Sequence, residues 1–276
     1  TTRWPTYGPT QHDRVQQAIG TMALQIGSTH PARNGVHLHT MRHRPSDQDF
    51  HFEPLDRAAP IEIRTRNLPH WFQSGTVLFV TLRTLDSTPS VMLRRWQATL
   101  EDWLARQGQP PARATAIVRG PRPRAEAALR GLPLAQQRAF RQVKHRLWDR
   151  GLDDGHGACL LRHPALAQLA AGTLLHFEGE RYHLDSFVIM PNHIHLLVQI
   201  MPPATLRKVS GGWMRYSARQ INASVGRAGG FWQPEAFDHV VRSAGQFDYL
   251  RRYIRRNPRQ ARLREGEFLY WSRRTE

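Results

Sequence analysis

Cysteine, lysine and carboxylates are scarce in this sequence. The 276 residues include one cysteine, Cys159, which excludes a disulfide framework and any zinc site built from four cysteines, and which fits a reducing compartment. Lys144 and Lys208 are the only lysines, so nearly all of the basic charge is arginine. Only 22 Asp and Glu face 39 Lys and Arg, leaving a formal charge of +17 that calls for a polyanionic partner. No run approaches the roughly 20 apolar residues a membrane span needs, and the opening TTRWPTYGPT lacks the apolar centre of an export signal. The expectation is a soluble, cytoplasmic protein with no membrane partner.

What is present is enough apolar material for a core: 40% hydrophobic and 9% aromatic residues, which rules out a wholly disordered basic tail. Arginine suits phosphate and stacked bases better than lysine does. The charge is also unevenly placed. Met201 to Glu276 hold 15 basic and 6 acidic residues.

Residues 1–65 read as an irregular appendage, with Pro, Gly, Asp and His scattered through it and one helix predicted at Arg14 to Ile26. A structured region, 66–265, follows, and 266–276 is a basic tail. Within GTVLFVTLRTL, the stretch Thr76 to Leu82 reads as a buried strand. Pro89 opens a helix from Ser90 to Gln107 whose Leu93, Trp96, Leu100, Trp103 and Leu104 share one face. A Pro/Arg-rich connector covers Gln109 to Pro123. Helical spacing returns over Leu134 to Asp149 and after Pro164, so 108–177 reads as a helical insertion. RYHLDSFVIM and HIHLLVQIM are then two strands split by a tight turn at Pro191 and Asn192. Next come a helix interrupted at Gly211 and Gly212, a short strand near Ala236 to Val241, and a helix from Gln246 to Asn257 stopped by Pro258.

Two constellations carry chemistry. His193 and His195 flank Ile194 on a strand, whose period of two puts both imidazoles on one face, where two ring nitrogens can share a cation. His37 and His39 repeat that spacing without an apolar strand beside them and read as a solvated loop. In the last helix Tyr249, Tyr253 and Asn257 recur every four residues and share a face, while Arg251, Arg252, Arg255 and Arg256 supply positive charge around them.

The string FVIMPNHIHLLV resembles the HUH motif (His, hydrophobic, His) of the IS200/IS605-like single-tyrosine transposases. RYIRRNP, FWQPEAFDHVVR and NLPHWFQSGTVLFVTLR resemble the corresponding blocks of the REP-associated branch, so the similarity runs from Asn67 to Leu263 in four blocks. This resemblance implies an α+β, ferredoxin-like antiparallel sheet with flanking helices, the two histidines on a central strand and the tyrosine helix packed over it. It implies Tyr253 as nucleophile, His193, His195 and Asn257 as ligands of a divalent ion (Mg²⁺ or Mn²⁺), and single-stranded DNA with hairpins as partner.

The implied reaction nicks and rejoins single-stranded DNA through a 5′-phosphotyrosine, with no nucleotide cofactor. Arg215, Arg219 and Arg227 join the helix arginines as candidates for backbone contacts. Trp213, Tyr216, Phe231 and Trp232 are candidate stacking platforms, though each is of a type more often found in a core, and Trp213, on an apolar stripe, is assigned there. Tyr249 is packing or a DNA contact. His183 and His239 read as structural. The competing reading is a domesticated hairpin-binding protein of the same fold that does not cut. A monomer acting in cis is favoured over a dimer exchanging helices.

Overall fold

The computed structural model describes Phe50, residues 52–53, 55–56, 62–65, 69–73, 75–107 and 131–273. The helix expected at Arg14 to Ile26, the His37 and His39 pair, and the Gln109 to Pro123 connector lie outside these residues.

A hairpin of β1 (Glu62–Thr65) and β2 (Pro69–Phe72) precedes the main sheet. β1 falls inside the stretch read as irregular. The sheet itself is built from β3 (Val77–Arg83), β4 (Tyr182–Ile189), β5 (His193–Ile200), β6 (Phe237–Val240) and β7 (Leu269–Ser272), in the order β6-β3-β5-β4-β7 with every neighbour antiparallel. Its helices are α1 (Ser90–Arg106), α2 (Leu134–Asp153), α3 (Pro164–Leu175), α4 (Leu206–Ser224) and α5 (Ala244–Gln260). Taken in chain order, β3-α3-β4-β5-α4-β6 with spatial order β6-β3-β5-β4 is the ferredoxin-like α+β arrangement, to which β7 adds a fifth strand beside β4.

Helices cover both faces of the sheet, so every residue of β4 and β5 is buried, the polar His183, Asp185, Ser186, His193, His195 and Gln199 among them. Leu82, Ile194, Leu196, Val198, Phe187 and Ile189 point to one side, against Leu166, Ala170 and Leu174 of α3 and Trp213 and Ile221 of α4. Val77, Phe79, Val188 and Leu197 point to the other, against Phe247, Leu250 and Ile254 of α5. Three buried aromatic and hydroxyl groups on the first side are linked by hydrogen bonds, with Ser217 as a fourth. The Tyr182 hydroxyl donates to the Leu174 carbonyl at 2.7 Å and accepts from Trp213 Nε1 at 2.9 Å, while Trp232 Nε1 donates to Ser217 Oγ at 2.9 Å.

α1 and α2 form a smaller cluster of their own around Leu100, Leu104, Leu132 and Phe140. α3, inside the stretch 108–177, packs directly on the sheet. Phe50 and Phe52, from the stretch before the hairpin, lie against Phe247 with ring centroids 6.0 and 4.8 Å away.

Two helix expectations are corrected. α4 runs unbroken through Gly211 and Gly212, since glycine weakens a helix by only about 1 kcal/mol while Val209, Trp213 and Ile221 bury one continuous face and Thr205 caps the start by accepting from the Lys208 N–H. α5 does not stop at Pro258 but continues to Gln260, with Pro258 buried inside the last turn. The missing N–H costs one bond near an end that the packing of Ile254, Asn257 and Pro258 holds in place.

Candidate functional site

The α5 face of the sheet carries the histidines. In the β3–β5 ladder Thr81 pairs with His195 and Arg83 with His193, and directly opposed residues share a face. His193 is fully buried and His195 nearly so, their ring centroids 4.6 Å apart. α5 lies over them. Asn257, also fully buried, and Tyr253, half-buried, both point from α5 towards this face. The Tyr253 ring stands edge-on 5.4 Å from His195 and 6.1 Å from Phe79, which itself stacks on His195 at 5.3 Å.

Each imidazole is oriented through Nδ1. His195 Nδ1 is 2.8 Å from Thr81 Oγ1, and His193 Nδ1 is 2.8 Å from Asn192 Oδ1. The amide of Asn192 is itself fixed, because its Nδ2 donates to the His156 carbonyl at 2.9 Å, so the atom facing His193 is the oxygen. An amide oxygen only accepts. His193 Nδ1 therefore carries the proton and Nε2 presents a lone pair.

His193 Nε2 and both amide atoms of Asn257 are buried with no hydrogen-bond partner. The Asn257 amide is nevertheless close enough to His193 to favour its charged form, so the two approach without bonding in regular geometry. Buried polar atoms are rarely left in this state. Burial first, then the neighbouring Arg83 charge, push the His193 pKa down to about 3 against that contact, which keeps the ring neutral. Burial lowers Arg83 to about 10, and it remains cationic at neutral pH.

Two imidazoles held by outer partners through Nδ1 and an amide oxygen opposite suit a divalent cation, and the orphaned atoms of His193 and Asn257 are the observation that fits one. Nitrogen donors of this kind also take Zn²⁺ or Ni²⁺, so the donor set alone does not select the ion. Among the described residues no group of three or more His, Cys, Asp or Glu gathers elsewhere as an alternative metal site.

Residues 174–257, from the end of α3 through β4, β5, α4 and β6 to Asn257 on α5, match the family model described as IS200-like transposase. Over this segment the chain is similar to IS200-like transposases, and the segment ends on the last residue of the buried cluster. No curated protein matches the chain. Among solved structures it is similar to a REP-associated tyrosine transposase bound to a REP hairpin, at 14% identity over 69% of this chain and 71% of that one, with a TM-score of 0.34. No helix among the described residues is long and apolar enough to cross a membrane.

The fold thus brings His193, His195, Tyr253 and Asn257 together. The arginines are dispersed. Arg252, Arg255 and Arg256 are exposed on α5 and Arg215 and Arg219 on α4, with Arg227 half-buried in the loop that follows. Arg251 is engaged, its Nε 3.1 Å from Asp185 Oδ2. Among the aromatics, Trp213, Phe231 and Trp232 are buried, so of these candidates only Tyr216 offers a surface, 51% exposed with the Arg219 guanidinium 5.6 Å over its ring. Tyr249 is 60% exposed, which removes packing as its role. His183 Nδ1 lies 3.5 Å from Glu178 Oε1, and His239 packs on Phe79 at 5.2 Å.

Asn192 and Arg83 escaped the sequence reading. Asn192 looked like a turn former, and it is one, but its amide also orients His193. Arg83 closes a strand whose apolar pattern drew attention to its other residues.

Proposed function

We propose that the protein is a metal-dependent enzyme that nicks and rejoins single-stranded, hairpin-associated DNA in the cytoplasm, with Tyr253 as nucleophile. The observation that supports this reading most is the burial, without partners, of His193 Nε2 and the Asn257 amide beside the Tyr253 ring. His193, His195 and Asn257 would hold the ion, Mg²⁺ or Mn²⁺ by the family resemblance. When bound, such an ion supplies Lewis-acid polarisation of a phosphoryl oxygen.

The chain's own residues do the rest. Tyr253 Oη attacks the scissile phosphorus, a P–Oη bond forms, the P–O3′ bond breaks, and one proton passes in net from the phenol to the departing 3′-oxygen. The 5′-phosphotyrosine keeps the phosphodiester energy, so a second 3′-hydroxyl can attack it, releasing Tyr253 with its proton. Asn192 and Thr81 hold the imidazoles, and Arg215, Arg219, Arg227, Arg252, Arg255 and Arg256 supply charge for the DNA backbone. The burial of Phe247, Leu250 and Ile254 and the Arg251–Asp185 pair fasten α5 to its own sheet, which favours a monomer with Tyr253 acting in cis.

The test is incubation of end-labelled hairpin oligonucleotides from the flanks of the gene with Mn²⁺ or with EDTA, for wild type and Tyr253→Phe, on a denaturing gel. A metal-dependent, SDS-stable adduct absent from Tyr253→Phe is the expected result. Binding with no cleavage by wild type would instead establish a non-cutting hairpin-binding protein.

A further inference from the structure

Successive residues of α5 divide its surface into three rows. Phe247, Leu250, Ile254 and Asn257 face the sheet, and Tyr249 and Tyr253 occupy one flank. Asp248, Arg251, Arg252 and Arg255 fall at i, i+3, i+4 and i+7 and make the opposite flank, a row that the exposed Arg259 extends. The arginines that the sequence groups around the tyrosines therefore lie mostly on the far side of the helix from them.

That far flank faces β7, the edge strand. Tyr270 pairs with Val188, whose side chain packs under α5, whereas the next residue, Trp271, turns the other way and stacks on Phe187 at 5.3 Å. Tyr270 is thus on the α5 side of the sheet, and it is 37% exposed although large and aromatic. Between it and the helix is a cleft of about 250 Å³ lined by Asp248, Arg251, Arg252, Arg255 and Tyr270. Its Arg251 is paired with the buried Asp185 of β4, which holds one wall of the cleft in place.

We propose that this cleft is a second binding site for single-stranded DNA, in which Arg252 and Arg255 take a backbone phosphate and Tyr270 stacks an unpaired base. The site rests on the reading that the protein acts on single strands, and adds a segment of DNA remote from the reacting phosphodiester. A groove that combines arginines with one exposed aromatic matches a strand with splayed bases better than a paired stem, whose bases are covered. An anchor on the opposite flank from Tyr253 holds one strand while the Tyr253 side is cut and exchanged.

The experiment is fluorescence anisotropy in EDTA, with labelled (dT)20 and the same strand carrying abasic sites, for wild type, Tyr270→Ala, Tyr270→Phe and Arg252→Ala. Tyr270→Ala is expected to weaken (dT)20 about tenfold while leaving the abasic strand unchanged, and Tyr270→Phe to bind as wild type. Arg252→Ala is expected to weaken both strands and to reduce the slope of log affinity against log salt by about one. Wild-type affinity and slope in Tyr270→Ala and Arg252→Ala, or an equal loss by Tyr270→Ala on both strands, would overturn the proposal. Because these measurements need no cleavage, loss of the Tyr253 adduct reading leaves the cleft standing, and failure of the cleft leaves that adduct untouched.

Discussion

Arg83 stands directly across the β3–β5 ladder from His193, on the face of the sheet that α5 covers. The pairing sets a permanent cation beside a neutral imidazole, where a phosphodiester approaching Tyr253 would bring negative charge. Preoriented donors at such a position strengthen as charge develops. Arg83→Gln is expected to slow adduct formation about 100-fold in single-turnover assays. Arg83→Lys keeps the charge but loses the planar fork, and recovers part of the rate. A wild-type rate in Arg83→Gln would remove this guanidinium from the reaction.

Asn192 joins three parts of the chain, through its Oδ1 to His193, its Nδ2 to the His156 carbonyl and its own carbonyl to the Thr84 N–H. Asn192→Ala leaves the buried His193 Nδ1 without its acceptor, a cost of about 1–3 kcal/mol in urea unfolding. It also frees the His193 ring to turn. Calorimetric titration with Mn²⁺ should show affinity reduced by about 10- to 100-fold, the usual effect of losing an outer partner.

Gly157 sits at φ +92°, and a Cβ there would come within 2.6 Å of Asp86 Cγ and 2.9 Å of the Asp86 carbonyl oxygen. The adjacent Ala158 N–H donates to Asp86 Oδ2 at 2.8 Å, so this loop, with its neighbour His156, is held against the end of β3. Gly157→Ala should lower the melting temperature, by strain of about 1–3 kcal/mol. Its Mn²⁺ affinity should fall with it, because His156 holds Asn192. Unchanged Mn²⁺ affinity in a destabilised variant would uncouple the loop from the histidines.

Burial, opposed by the Trp213 hydrogen bond, pushes the Tyr182 hydroxyl up to about 12 from an ordinary value near 10. The folded state thus keeps a proton that the unfolded state releases. The stability tied to it is complete below pH 10 and is lost as pH rises from 10 to 12, reaching about 3 kcal/mol. Urea midpoints measured between pH 8 and 11 should fall steeply above pH 10 in wild type. In Tyr182→Phe the fall should be shallower, from a lower starting stability, since Trp213 Nε1 then loses its acceptor. Parallel curves for the two proteins would exclude Tyr182 as the titrating group.

Much of the sheet and the buried cluster was legible in the residues. The apolar runs around Pro191 and Asn192 announced the β4–β5 hairpin, and the period of two placed His193 and His195 together before any coordinates did. The four-residue recurrence of Tyr253 and Asn257 did the same for α5. Cross-strand relations were hidden, because register is set by pairing between segments more than a hundred residues apart, as with Thr81 and His195 or Arg83 and His193. The burial of Phe231 and Trp232 follows the general tendency of large aromatics to lie in cores, although as loop residues they give no periodicity to read. Gly211, Gly212 and Pro258 misled for one shared reason: local propensity is worth about 1 kcal/mol for glycine and about 3 for proline, and burial of a helix face outweighs it.

The sheet ends on both sides in strands of four residues, β6 and β7. A long flat border would offer its free backbone groups to another chain as a template for fibrillar growth. Here each border is too short to seed such pairing, and the β4 ladder inside β7 is further twisted by the register shift between Leu184 and Ser186. On the proposed reading, in which the cleft and the Tyr253 site must stay open to a flexible polymer, these short margins guard against pairing with copies of the same chain.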